Sequence, residues 1–161
     1  MARVLGLGYP GGPKVDQVAR DGNPDAIAFK RALLEKESMD FSFSGVKTGV
    51  LNYLNTKKLK AEPVVVADVA ASFQQAVVEV LVTKGLMAAN RTGHRKMVLA
   101  GGVAANSLLR RLLDQACQEA GIDLYYPSMD LCTDNAAMIG CAAYYRSVSY
   151  THLTLPTNRE V

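Results

Sequence analysis

The chain has 161 residues, of which 49% are hydrophobic and 20% charged, and its formal net charge is +3. This composition is sufficient for one globular domain or one lobe of a larger protein, and it excludes a disordered tail. No run approaches the roughly 18 uninterrupted apolar residues of a membrane span, and the amino terminus lacks a signal-peptide core. We therefore expect a soluble, cytoplasmic protein without a membrane partner.

The first third of the chain mixes turn, helix and strand signals. Residues 9–12 predict a tight turn, and Pro13 suits the first position of a short helix that Gly22 stops. Residues 23–38 stay ambiguous between a helix and a loop with a short strand. The alternation over residues 40–44 predicts a strand that ends at Gly45, followed by a helix to about Asn55.

The rest of the chain predicts helices around two short strands. A charged linker at 57–63 leads to a long helix that Pro63 opens and that ends near Asn90. The following elements are a strand at 96–100, a helix over 108–116 closed by Gly121, a strand at 123–126, a loop at 128–133 and a helix at 135–145. Strand, helix and strand over 96–126 form a βαβ unit with parallel strands, which indicates an α/β fold.

Two features are set aside from the functional argument. Residues 148–161, which include His152, resemble a translated vector sequence and are interpreted as a non-native tail. Cys117, Cys132 and Cys141 are far apart and have no CxxC spacing, so they predict neither a zinc site nor disulfides. We expect each cysteine to be a small buried or half-buried apolar residue.

The turn after the strand at 96–100 is the first candidate site. Gly101 and Gly102 would let a ligand approach the backbone, and the helix that follows would offer its first N–H groups to a phosphate. The Asn106 amide would donate and accept hydrogen bonds at once. The alternative is a plain strand-to-helix turn in which Asn106 only caps the helix.

Two acidic residues are further candidates. Asp134 precedes the final helix and would either cap it or bind a metal, although no companion ligands lie nearby in sequence. Asp16 lies one turn after Gly12 and would either bond ligand hydroxyl groups or remain a solvated acid. Lys47, Lys57, Lys58 and Lys60 form a weak basic cluster that is solvated surface or a contact for tRNA phosphates. No nucleophile–base pair is apparent, which argues against a hydrolase.

Four segments together resemble one family. They are LGLGYPGGP (5–13), DFSFSGVKT (40–48), AGGVAANSLLR (100–110) and CTDNAAMIG (132–140). Their order and spacing are similar to those of the tRNA N6-adenosine threonylcarbamoyltransferases, the TsaD family once called O-sialoglycoprotein endopeptidases. The resemblance covers about residues 2–147.

The resemblance implies an actin-like, sugar-kinase-like ATPase fold, of which residues 1–147 would be mainly the second lobe. It implies transfer of threonylcarbamoyl from threonylcarbamoyl-adenylate to N6 of adenosine 37 in tRNAs that read codons beginning with A. Gly12, Asp16 and Asn106 would then hold the adenylate, and Asp134 would bind a divalent metal, iron or zinc. The implied partners are tRNA, an inactive paralogue and a P-loop ATPase.

The chain also departs from the family pattern. The two histidines of the family's HxxxH metal motif are absent, as is the amino-terminal lobe that carries them. We therefore expect a carboxy-terminal fragment with little transferase activity of its own. Two alternatives remain, a nucleotide-binding lobe of a sugar or acid kinase-like ATPase and a non-catalytic module that binds partner proteins.

Overall fold

The computed structural model describes residues 1–31 and 38–149. Within these residues, helices and short parallel strands make an α/β arrangement. The helices are α1 (Gly11–Ala19), α2 (Ser44–Leu59), α3 (Val66–Thr92), α4 (Ser107–Ala120) and α5 (Ala136–Ser149), and the strands are β1 (Lys96–Val98) and β2 (Asp123–Tyr125).

The βαβ unit predicted from the sequence is confirmed. Strands β1 and β2 pair in parallel, with Lys96 opposite Asp123 and Val98 opposite Tyr125. Helix α4 connects them and packs its buried residues Leu109 and Leu113 against α3. Gly121 ends α4 with φ of 64°, a left-handed conformation that a residue with a side chain adopts only with strain. This unit fixes Asn106 at the point where the chain turns from strand to helix.

Helix α3 is the central element of the described chain. It packs against α1, α2 and α4, and its buried positions include Val69, Val78 and Val80. By length and composition alone α3 would pass for a membrane span, which the sequence prediction did not anticipate. Because it packs against three other helices, we interpret it as a core helix.

The strand predicted over residues 40–44 is wrong. Residues 38–43 have no regular structure, and α2 already begins at Ser44. The alternating Phe41 and Phe43 are partly exposed and stack on each other instead of covering a sheet. The buried ammonium of Lys84 on α3 donates to the carbonyl oxygens of Ser38 and Asp40, so these backbone groups have a side-chain partner in place of a neighbouring strand.

Several predicted element boundaries also differ from the structure. Helix α1 starts at Gly11, so Gly11 and Gly12 belong to the helix and Pro13 is its third residue. Helix α2 runs to Leu59 and takes in part of the predicted linker, because lysine is a good helix former and is favourable near a carboxyl terminus. The long helix begins at Val66, not at Pro63.

Other differences concern loops and strand ends. Strand β1 ends at Val98 and a short 3₁₀ turn, Gly102–Ala105, precedes α4. A second 3₁₀ turn, Met129–Leu131, lies in the predicted 128–133 loop. Of the ambiguous stretch, residues 26–31 are not helical, which favours the loop interpretation there, and 32–37 lie outside the described residues. Cys141 is exposed, contrary to the expectation for all three cysteines.

The proposed tail is only partly covered by the structure. Its first two residues, 148 and 149, lie in the last turn of α5, and the non-native origin of the tail stays a prediction. Residues 150–161, with His152, lie outside the described residues.

Helix α5 is apolar yet exposed. None of its residues is buried, and Ile139 and Val148 keep 64% and 68% of their surface. Because exposed apolar surface of this kind favours association, we expect the chain to self-associate with rising concentration and to enhance the fluorescence of a hydrophobic dye. Sedimentation equilibrium should show weaker association for the double variant Ile139→Lys/Val148→Lys, and a monomeric wild type without dye binding would contradict this.

Candidate functional site

A cavity of about 660 Å³ lies where the amino-terminal turn, α1, α3 and the turn before α4 meet. Its apolar wall comes from α3, with Phe73, Val77, Val78 and Leu81. The lining also includes polar side chains and glycine backbone, from Arg3, Gly11, Gly12, Gln74 and Asn106. A wall of apolar side chains facing a few polar groups is the usual composition of a small-molecule site.

The amino terminus of α1 faces this cavity. Gly11 and Gly12 are its first two residues, no side chain caps its N–H groups, and its first turn carries no acidic residue. A methyl group added at Gly12 would meet no heavy atom within 4 Å, so the backbone there is open to a ligand. The uncapped N–H groups and the helix dipole both favour an anion at this end of the helix.

The Asp16 carboxylate lies under the cavity and is 8% exposed. Its Oδ1 accepts hydrogen bonds from Gln74 Nε2 at 3.1 Å, from Asn106 Nδ2 at 3.1 Å, and from Ser107 N and Oγ at 3.2 and 2.9 Å. Its Oδ2 accepts from the exposed Arg20. The interpretation of Asp16 as a solvated acid is therefore wrong. Through these hydrogen bonds the Asp16 carboxylate joins α1, α3 and the start of α4.

Asn106 both caps α4 and faces the cavity. Its Oδ1 accepts from Leu109 N at 2.9 Å, while Nδ2 donates to Asp16. The N–H groups of Ser107 and Leu109 are thereby already paired, so they are not the free anion-binding groups expected at this helix start. Since one amide hydrogen of Asn106 bonds Asp16, the second remains to face a ligand.

Gln74 is a site residue that sequence reasoning missed. Its Nε2 must face Asp16, because a carboxylate oxygen only accepts hydrogen bonds from it. Its Oε1 is then left buried without a hydrogen-bond partner, within the part of the chain that the structure describes. A buried acceptor of this kind costs about 1–3 kcal/mol. Spacing along an apolar helix gave no signal that this position differs from its neighbours.

Gly101 and Gly102 lie next to the cavity in sequence but do not line it, whereas Val103 does. Gly101 has φ of 86°, which favours glycine, and it accepts a hydrogen bond from Ala104 N at 2.9 Å. Added methyl groups at Gly101 or Gly102 would meet no heavy atom within 4 Å. The turn is therefore exposed and open to a close approach.

Asp134 lies on a different loop and does not line the cavity. Its carboxylate was expected to cap the final helix or to bind a metal. The capping role falls to Asn135, whose Oδ1 accepts from Met138 N at 3.0 Å. Asp134 is exposed. The structure thus brings Gly12, Asp16 and Asn106 together and leaves Asp134 outside that group.

The comparisons with known proteins bear on this arrangement. A family model described as tRNA N6-adenosine threonylcarbamoyltransferase matches residues 1–141. The chain belongs to this family. The tRNA N6-adenosine threonylcarbamoyltransferase of Moorella thermoacetica is 60% identical to it over 146 residues, which are 91% of this chain and 43% of the relative.

A second relative gives the same relationship. The protein of the same name from Clostridioides difficile is 56% identical over 149 residues, or 92% of this chain and 44% of the relative. The chain thus spans less than half the length of these threonylcarbamoyltransferases. The family membership argues against the kinase-like alternative.

Proposed function

We propose that this chain supplies the nucleotide-binding part of a tRNA-modifying transferase. The ligand would be threonylcarbamoyl-adenylate, and the product would carry threonylcarbamoyl on N6 of adenosine 37 in tRNAs that read codons beginning with A. The observation that carries the proposal is the placing of Gly12 and Asn106 on one cavity. The names of the relatives support the reaction class.

The open end of α1 is the natural place for the adenylate phosphate. Gly11 and Gly12 would offer backbone N–H groups there, and the exposed Arg3 lies on the same cavity. The apolar wall from α3 would take the flat purine ring. Asn106 would orient the ligand with its remaining amide hydrogen, and Gly101 and Gly102 would let other parts of the substrate approach the backbone.

Asp16 would act on the adenylate through Asn106. Because its oxygen atoms already accept from Gln74, Asn106, Ser107 and Arg20, we propose that it orients the Asn106 amide and does not bond ligand hydroxyl groups directly. This assignment keeps Asp16 in the adenylate site but changes its role from a ligand contact to a positioning residue.

The reaction requires the protein mainly to position the two reacting groups. The carbonyl group of an acyl-adenylate is already activated, and the adenine amino group is a weak nucleophile that must be held in line with it. As the new C–N bond forms, the C–O bond to the phosphate breaks, AMP departs with the bonding electron pair, and one proton of the amino group is released to water. Helix N–H groups at Gly12 would stabilise the charge on that phosphate.

The family implies a metal, iron or zinc, with Asp134 as one ligand. Among residues 1–31 and 38–149, no group of three His, Cys, Asp or Glu side chains is close enough to hold a metal ion. The described residues therefore do not fit a complete metal site. Asp134 remains a proposed single ligand, and its exposed carboxylate is not used as a helix cap.

The larger context is proposed on the same basis. We place residues 1–147 as the second lobe of an actin-like ATPase fold in a cytoplasmic enzyme. Its partners would be tRNA, an inactive paralogue and a P-loop ATPase.

Gly12→Ala tests the adenylate site. The added methyl group meets no protein atom, and alanine favours a helix over glycine by up to about 1 kcal/mol, so the free energy of unfolding should stay equal or rise slightly. The methyl group would, however, obstruct the approach of a phosphate. We expect calorimetric titration with AMP to show binding at least about tenfold weaker than in the wild type.

Gly45→Ala is the matched control, because Gly45 also has no neighbour within 4 Å but lies near the start of α2 and does not line the cavity. It should bind AMP like the wild type. Equal AMP affinity of the Gly12→Ala variant and the wild type would contradict the placement of the phosphate.

The reaction itself is tested in a chimaera. Residues 1–141 would replace the matching segment of the Moorella thermoacetica relative, and the purified chimaera would receive threonylcarbamoyl-adenylate and unmodified tRNA. Mass spectrometry of the digested tRNA should reveal threonylcarbamoyladenosine, whereas the 161-residue chain alone should yield little. A folded chimaera without product, beside an active parent, would refute the proposed function.

A further inference from the structure

Arg110 ends the AGGVAANSLLR motif and does not line the nucleotide cavity. It lies in the first turn of α4, and its guanidinium group contacts two other segments of the chain. Nε donates to the carbonyl oxygen of Ala104 at 2.5 Å. One terminal nitrogen donates to the carbonyl oxygen of Pro127 at 2.8 Å and to Cys132 Sγ at 3.0 Å.

These acceptors belong to the two loops that carry the candidate ligands. Ala104 is buried in the 3₁₀ turn two residues before Asn106. Cys132 is buried, 3% exposed, and lies two residues before Asp134. The Arg110 side chain is therefore a direct hydrogen-bonded link between the Asn106 turn and the Asp134 loop.

The link depends on the shape of arginine. The acceptors are two carbonyl groups and a thiol, so Arg110 does not neutralise a charged partner. It binds them because its N–H groups point in several directions. The guanidinium carbon Cζ also lies 4.6 Å from the centre of the Tyr126 ring, a cation–π contact that favours this position of the side chain. A lysine would bring one compact ammonium group to this position and could not span the same acceptors in a fixed plane.

We propose that Arg110 is a positioning residue that couples the Asp134 loop to the occupancy of the nucleotide cavity. A ligand that shifts the Asn106 turn would move the Ala104 carbonyl, and Arg110 would pass that displacement to Cys132 and its loop. This proposal rests on the proposed adenylate site. It adds that the loop with the candidate metal ligand responds to the nucleotide through one side chain.

The test uses the 161-residue chain with AMP as the probe and backbone amide NMR as the readout. In the wild type, the Gly12 amide and the amides of residues 133–135 should shift along the same AMP saturation curve. In Arg110→Lys, the Gly12 shift should persist with AMP affinity lowered by less than about tenfold. The shifts at residues 133–135 should fall to less than a quarter of their wild-type size.

Arg111→Lys is the matched control, because Arg111 is the next residue on α4, exposed, and lines a different cavity. It should keep both responses. Cys132→Ala removes only the acceptor on the Asp134 side and should also abolish the AMP-induced shifts at residues 133–135. Cys132→Ser restores an acceptor and should preserve these shifts. Urea unfolding of each variant separates loss of coupling from loss of stability.

Each alternative result has a distinct meaning. A wild-type response at residues 133–135 in both Arg110→Lys and Cys132→Ala would overturn the proposal and leave the adenylate site intact. A shift at Gly12 without any remote response in the wild type would also overturn it. Absence of any AMP response at Gly12 would refute the proposed adenylate site together with this inference.

Discussion

Asp16→Ala should lower the free energy of unfolding by about 3 kcal/mol or more. The substitution removes the common acceptor of the buried Gln74 and the half-buried Asn106 and Ser107, and a donor left without a partner away from water costs about 1–3 kcal/mol. The same change frees the Asn106 amide, so AMP binding should weaken at least about tenfold under conditions where the variant is folded. Urea denaturation and calorimetric titration measure the two effects.

Arg20→Ala separates the buried network from the ion pair. Arg20 bonds the other carboxylate oxygen of Asp16 at 3.2 Å, but its side chain is 64% exposed. Exposed ion pairs contribute about 1 kcal/mol or less, so this variant should be close to the wild type in stability and in AMP affinity. If Arg20→Ala were as damaging as Asp16→Ala, the ion pair and not the buried network would hold the site together.

The structural features predicted best from the sequence are those that residues close together in the chain determine. Gly121 ends α4 in a left-handed conformation, and the short apolar runs on either side of α4 pair in parallel. Such features depend on the backbone preferences of a few consecutive residues. They were sufficient to predict the α/β unit that places Asn106.

The sequence could not predict contacts between distant residues. Asp16 finds its partners 58, 90 and 91 positions further along the chain, so no local pattern distinguishes it from a solvated acid. The alternation at residues 40–44 satisfied the pattern of a strand, but a strand also needs a partner, and Lys84 supplies the backbone contacts instead. Asp134 and Asn135 are both good helix caps, and only the structure selects Asn135.

Gly22 is another residue whose contacts with distant residues the sequence did not predict. Its substitution should have the second large effect, a loss of stability. The sequence suggested that Gly22 stops a helix, but α1 ends at Ala19. The turn at Gly22 instead packs onto the start of α3. Asn23 N donates to Asp68 Oδ1 at 2.8 Å, and Ser72 Oγ contacts Asn23 O and Ile27 N. Glycine is required here because two backbone segments touch.

Gly22→Ala should therefore destabilise the fold by about 3 kcal/mol or more. Its methyl carbon would lie only 2.1 Å from the carbonyl oxygen of Ala67 and 2.3 Å from its carbonyl carbon. These are backbone atoms of α3, which cannot rotate away as a side chain would, so one of the two segments must shift and lose its packing. Urea denaturation of the variant measures the loss.

Gly45→Ala again serves as the comparison, because its methyl group meets no neighbour and alanine favours α2. We expect that variant to be as stable as the wild type or slightly more so. If Gly22→Ala were as stable as Gly45→Ala, the turn could move away from α3 without loss of stability. The hydrogen bonds that join Asp68 and Ser72 to this turn would then not hold the two segments together. A large difference between the two glycines would instead identify this contact as one that fixes α1, and with it Gly12, against α3.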